Sequence, residues 1–151
     1  MSLRTKVERA FATVVSQIEG FPTDTVNVYK GADFSTHQVP CVVCWCKGGP
    51  EQPQGSGNRT MAVTIIVKAN AIQDRKGDGS DLDPLAGLEG LSDLVFDGLK
   101  QDDLADRLTA AVPDFSVFDP VVDTGFDPDL ADVAFLETLS LQIYCCATKL
   151  D

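Results

Sequence analysis

Positive charge is scarce in this sequence: 12 Lys and Arg stand against 23 Asp and Glu, a formal net charge of -11 at pH 7. A protein that grips phosphate backbones needs clustered Lys and Arg to displace counterions, so the balance excludes nucleic-acid binding as a main task. An acidic surface keeps a protein soluble, and it also lets a protein lie close to DNA without sticking to it. Histidine is scarcer still, since His37 is the only one. It stands in an expected loop with no Ser or Cys arrangement beside it that would suggest a triad. The chain has no glycine-rich phosphate loop, no HExxH and no nucleophile elbow, and nothing in it points to an enzyme. Long apolar runs are lacking as well. No stretch approaches the roughly 18 apolar residues of a membrane helix, and the basic start from Met1 to Lys6 is not followed by a signal-peptide core. The expectation is a soluble protein made in a cytoplasm, with no membrane partner.

What the chain does have is globular composition: 151 residues, 44% hydrophobic, with eight Phe. That length suits a single domain spanning residues 1–151, able to bury a core without metal or disulfide support. Five cysteines is an odd number, and without a secretory signal it suggests reduced thiols rather than a disulfide framework.

Leu3, Val7, Ala10, Phe11, Val14, Val15 and Ile18 recur at helical spacing, which predicts a helix from about residue 3 to Glu19, stopped by Gly20 and Pro22. The period then changes to two. Thr25 to Lys30 alternates as a half-buried strand, and after a loop from Asp33 to Gln38 the β-branched run Val39 to Cys46 reads as a buried strand. Lys47 to Arg59 holds four Gly and two Pro and no apolar side chain, so it is expected to be a long flexible loop. Thr60 to Ala69 resumes strand character, and the two flanking runs would pair as a hairpin. Contact with a subunit or partner is the functional reading of that loop, through Gly48, Pro50, Gln52, Pro53, Gln54, Asn58 and Arg59; a plain surface tip is the alternative.

A second polar linker, Asp74 to Asp83, ends in a helix start with Asp83 as N-cap and Pro84 at the first helical position. Leu85, Leu88, Leu91, Leu94, Val95 and Leu99 continue at helical spacing, and a shorter helix from Asp102 to Ala111 precedes Pro113. Two strands close the chain, Phe115 to Phe118 with an extension to Val122, and about Val133 through Cys146. In the latter, Phe135, Glu137, Leu139, Leu141, Ile143 and Cys145 share the core side. The expected class is α+β: a mostly antiparallel sheet of about five strands, with the N-terminal helix and a central helix pair packed on it.

Two stretches resemble chemical sites. Three of the five cysteines fall within "CVVCWC". Cys41-Val-Val-Cys44 has the gap of zinc knuckles and thioredoxin-like motifs, but side chains of a strand alternate. Cys41 then points one way while Cys44 and Cys46 point the other, so one tetrahedral ion cannot use all three. A Val-Val pair also resists the turn that a knuckle needs. The redox reading lacks a helix N-terminus to lower the thiol pKa. The expectation is core thiols, no metal and no cofactor, with Cys44 or Cys46 meeting Cys146 if their strands pair. In the second linker, Asp78, Ser80 and Glu89 fall at ligand positions of a calcium loop. Leu82 and Asp83 break that pattern, which leaves Asp78 and Asp81 as surface loop positions.

Taken in order, the N-terminal amphipathic helix, "VNVYKGADF", "VPCVVCWCKG", the polar loop, "RTMAVTIIVKANA", "DPLAGLEGLSDLVFDGL" and "VAFLETLSLQIYC" resemble the tail terminator (tail completion, minor tail protein U-like) family of long-tailed bacteriophages. The resemblance covers nearly the whole chain as order and pattern, without a diagnostic residue, and the cysteine-rich strand is not part of it. It implies a structural virion protein of the neck, assembled in the bacterial host cytoplasm. Such a subunit closes into a homo-oligomer, typically a hexameric ring, on the last ring of the tail tube protein. The ring ends tube polymerization and offers a docking surface to the head connector or stopper protein, while DNA passes through the lumen without specific binding. The rival reading is a small cytosolic domain that binds zinc through its cysteines or holds another ligand.

Overall fold

The computed structural model describes residues 2–30, 38, 40–51, 57–70, 88–122, 131–133 and 136–149. Helix α1 (Leu3–Ser16) opens the chain, with the Ser2 side chain accepting from the Thr5 N–H as N-cap, and strand β1 (Asn27–Lys30) follows. Strands β2 (Cys41–Glu51) and β3 (Asn58–Asn70) form the expected hairpin. Helices α2 (Leu88–Leu99) and α3 (Leu104–Ala111) precede β4 (Phe115–Val122), β5 (Ala131–Val133) and β6 (Leu136–Lys149). The class is α+β. One sheet runs in the order β1-β2-β3-β6-β4, with β5 paired to β6 off that path. Every pairing is antiparallel except β1 with β2, which is parallel.

The helices cover one face of this sheet. From α1, Val7, Phe11, Val14 and Val15 meet Val42, Cys44 and Cys46 of β2, and Met61, Val63, Ile65 and Val67 of β3, in a single core. Leu91, Val95 and Leu99 of α2 and Leu104 and Leu108 of α3 join it. On β6, Leu141, Ile143 and Cys145 are buried while Tyr144 is exposed, the alternation the sequence predicts.

Three boundaries differ from the sequence reading. First, the long loop expected over 47–59 is much shorter: β2 continues through Lys47, Gly48, Gly49 and Pro50 to Glu51, and β3 begins at Asn58. A register shift between Gly48 and Glu51 absorbs the breakers as a β-bulge, which tolerates both Gly and Pro. Second, the closing strand is split, with Val133 in β5 opposite Leu136 of β6. Third, α1 ends at Ser16, and Gly20 takes a positive φ of 84° in the turn that follows. The N-cap expected at Asp83 and the calcium-like positions Asp78 and Asp81 lie outside the described residues, as do His37 and Phe135.

Helix α2 crosses the turn after α1 at Gly98. A Cβ there would stand 2.7 to 2.9 Å from Cδ1, Cγ1 and Cγ2 of Ile18, so the whole branched side chain would have to move. Alanine gains roughly 1 kcal/mol of helix propensity over glycine. Overpacking a fixed contact costs about 1–3 kcal/mol. Gly98→Ala is therefore expected to destabilize the fold by about 1 kcal/mol in urea titration. In an Ile18→Ala background the same change should become stabilizing; destabilization of equal size in both backgrounds would mean that Ile18 is not the obstacle.

Candidate functional site

The cysteine-rich strand sits second from one edge of the sheet. Alternation divides its thiols as expected: Cys44 and Cys46 face the helices within the core, and Cys41 is buried on the opposite face. Strand β3 separates β2 from β6, so the pairing that would have brought Cys44 or Cys46 to Cys146 does not form. Cys46 aligns with Val63 and then Ile143, and Cys145 aligns with Met61, which puts Cys46 and Cys145 on the same face. They are two strand spacings apart and offset by two residues along the strand, roughly 12 Å in all. That exceeds the Cα separation of about 7 Å that a disulfide spans. Cys146 faces the other way, and all five thiols are free.

Burial dominates the chemistry of these thiols. It pushes Cys41 up to about 11, against a smaller lowering by Lys68. Cys46 is pushed up to about 12 by burial first, then by Cys145 and Glu8, with Arg4 and Arg59 opposing. Cys145 rises to about 12 through burial and then Cys146. Cys44 is also raised, by burial and then Glu8. Thiols held protonated in this way are poor nucleophiles and poor metal ligands, because both roles need the thiolate.

Two polar side chains close the sides of the sheet. Strand β1 pairs with the outer side of β2 up to Lys30, level with Cys44. There Glu8 of α1, only 6% exposed, accepts from the buried Cys46 N–H through Oε2 at 3.0 Å. On the far edge, the Thr109 hydroxyl of α3 accepts from the Val117 N–H at 3.1 Å and donates to the Val117 carbonyl at 3.2 Å. Each contact fills backbone valences that would otherwise be an unpaired edge. Lys6, also buried, donates from Nζ to the carbonyls of Asp114 at 3.3 Å and Pro113 at 3.5 Å, tying α1 to the turn before β4. Asp114 holds a positive φ of 64° in that turn. Sequence pattern missed these three residues, since Lys6 and Glu8 flank the apolar stripe where charges are ordinarily solvated.

The residues proposed for loop contact fall in different places. Gly48 lies in β2 opposite Met61, with the Arg59 guanidinium packed over it: a Cβ at Gly48 would meet Nη2 at 3.3 Å. Asn58 and Arg59 are half-buried ladder residues of β3, opposite Thr148 and Ala147 of β6. Pro50 lies in β2, and Gln52, Pro53 and Gln54 lie outside the described residues. Only residues 52–56 remain between the two strands apart from Gly57, whose φ of 81° fits a turn into β3.

Among the described residues, two concavities flank the sheet. The larger, about 560 Å³, lies between the α2–α3 turn and the end of β4, lined by Leu99, Lys100, Asp102, Leu104, Asp119 and Val122 among others. A smaller groove of about 280 Å³ runs between α1 and β1, with Arg9, Thr13, Ser16 and Lys30 on its walls. Among the described residues, no helix is long and apolar enough to cross a membrane. No protein-family model matches the chain, and no curated protein sequence matches it.

Proposed function

We propose that this chain is a non-enzymatic neck subunit of a long-tailed bacteriophage that closes as a ring on the tail tube, ends tube polymerization and receives the head connector. The observation that carries the reading is the β2–β3 hairpin. Its strands are 11 and 13 residues long, and β2 runs on to Glu51 from Cys44, the last residue paired with β1 among those described. Strands of that length span roughly 35–40 Å. Strand β3 is paired with β6 along its whole length, so contact with a neighboring subunit or with the tube is assigned to the connection that joins β2 to β3. The acidic balance agrees with a lumen through which DNA slides without binding. A hexameric ring is the arrangement implied by the family it resembles.

Size-exclusion chromatography with light scattering, followed by electron microscopy, tests the reading directly. Rings of the chain alone, or rings on purified tail tubes, are the expected result; a monomer that binds neither its own copies nor a tube would sink it. Replacing residues 52–56 with Gly-Gly should leave the melting temperature within a few degrees and impair ring or tube binding. An aggregating deletion would instead assign the hairpin tip a folding role. The cysteine-based alternative separates by metal analysis, where one zinc per chain would overturn the division of thiols between two faces.

A further inference from the structure

The sheet carries opposite charges at its two ends. At the β1 end, the groove between α1 and β1 presents the exposed cations Arg9 and Lys30, with Glu19 and Asp24 displaced to the far end of α1. At the β4 end, Asp102, Asp103, Asp106 and Asp119 are all exposed and outweigh Lys100 and Arg107. Arg107 is already engaged, donating to the Gly98 carbonyl at 3.2 Å and lying 3.9 Å from Asp103. The acidic end carries the larger of the two concavities, lined by the apolar Leu99, Leu104 and Val122 together with Asp102 and Asp119. Val121, beside it on β4, is 58% exposed. Four strand spacings, about 19 Å, separate the two ends.

We infer that the α2–α3/β4 notch of one copy receives the Arg9 and Lys30 side chains of the next, in a head-to-tail contact. This rests on the ring reading and specifies its interface. Opposite patches at opposite ends of one molecule make a heterologous contact, which closes a ring when the rotation per subunit divides a full turn. Strand addition cannot supply the contact along β4. Thr109 occupies both backbone groups of Val117, the strand is bulged between Phe118 and Val121, and Pro120 has no N–H to offer. Docking through side chains avoids that obstacle. Long Arg and Lys stems bury along apolar walls while their charged heads meet carboxylates at the rim. The contact selects orientation, because two acidic ends or two basic ends repel.

Two exposed-surface variants test the contact. One is Arg9→Gln with Lys30→Gln. The other is Asp102→Lys with Asp119→Asn, where Asn tolerates the positive φ of 51° at that position. Circular dichroism confirms folding, and Asp102→Lys alone serves if the pair disturbs it. Sedimentation velocity at low salt reads self-association. Each variant alone should lose about tenfold or more in association constant, with the wild-type constant falling as salt rises. Mixed together, the two variants retain one intact acidic notch and one intact basic groove between them. They should form heterodimers that grow no further. Variants that assemble like the wild type would overturn this interface and leave the ring reading standing. A wild-type chain that stays monomeric at low salt and millimolar concentration, with no heterodimer in the mixture, would overturn this interface, and would overturn the ring reading as well if the chain also fails to bind purified tail tubes.

Discussion

Raising the pH from 8 to 10 is expected to remove several kcal/mol of the stability of this protein, with reductant present throughout. Four thiols are buried and protonated in the folded state: Cys41 is raised to about 11, Cys46 and Cys145 to about 12, and Cys44 is raised as well, from an ordinary value of 9.0. In the unfolded chain the same thiols ionize near their ordinary value. Above that pH the unfolded state therefore binds fewer protons than the folded state, and stability falls with rising pH until the folded thiols titrate. The slope for each such thiol approaches about 1.4 kcal/mol per pH unit only above pH 9, so four together lose roughly 5 kcal/mol between pH 8 and 10. That is comparable to the whole stability of a modest domain, about 5–15 kcal/mol. Below about pH 8 the thiols contribute no slope.

Urea titrations at pH 7.5, 9 and 10 measure this dependence. Lysine and tyrosine titrate in the same range, so the comparison that isolates the thiols is a variant with all four cysteines replaced by valine or alanine. The natural chain should lose stability far more steeply than the variant above pH 9. Parallel curves would mean that the thiols reach water in the folded state and are not held protonated by the core.

The sequence made much of this architecture legible, for reasons that particular residues display. The stripe from Leu3 to Val15 fixed α1, and alternation in "CVVCWC" correctly sent Cys41 and Cys44 to opposite faces, because both patterns are local and periodic. The end of β2 was misread for an equally local reason. Gly48, Gly49 and Pro50 are breakers within a regular ladder, but a bulge near the end of a hairpin accommodates them. Long-range order was not legible. Alternation placed Cys145 on the core side correctly, but that β3 intervenes between β2 and β6, keeping Cys146 away from Cys44 and Cys46, depends on topology over a separation of about a hundred residues. The parallel pairing of β1 with β2 also has no periodic signature, although the two strands are close in sequence. At the candidate site, the division of the cysteines could be read in advance, while the roles of Glu8 and Thr109 could not. A side chain that seals a strand edge has no periodic signature; it is recognizable only once helix and edge are placed together.

The seal formed by Glu8 carries the second large expected effect. Glu8→Ala should destabilize the protein by about 2–3 kcal/mol, because it removes a hydrogen bond to a charged acceptor and strands the buried Cys46 N–H. Helix propensity offsets little of this, since Glu and Ala differ by less than about 0.5 kcal/mol in a helix. Relief of the carboxylate's own desolvation keeps the net loss below the sum of the separate costs. Glu8→Gln keeps a carbonyl oxygen near the position of Oε2 and should recover most of the loss, whereas Glu8→Leu fills the space without an acceptor and should recover little. Hydrogen exchange localizes the effect. The Cys46 amide should lose protection in Glu8→Ala, while the β3 amides bonded to β6 in the center of the sheet remain slow. Equal destabilization by Ala and Gln, or an unchanged Cys46 amide, would show that Glu8 contributes through packing alone. The expected pattern would instead identify the Glu8 side chain as the acceptor that satisfies the Cys46 N–H on the β2 edge.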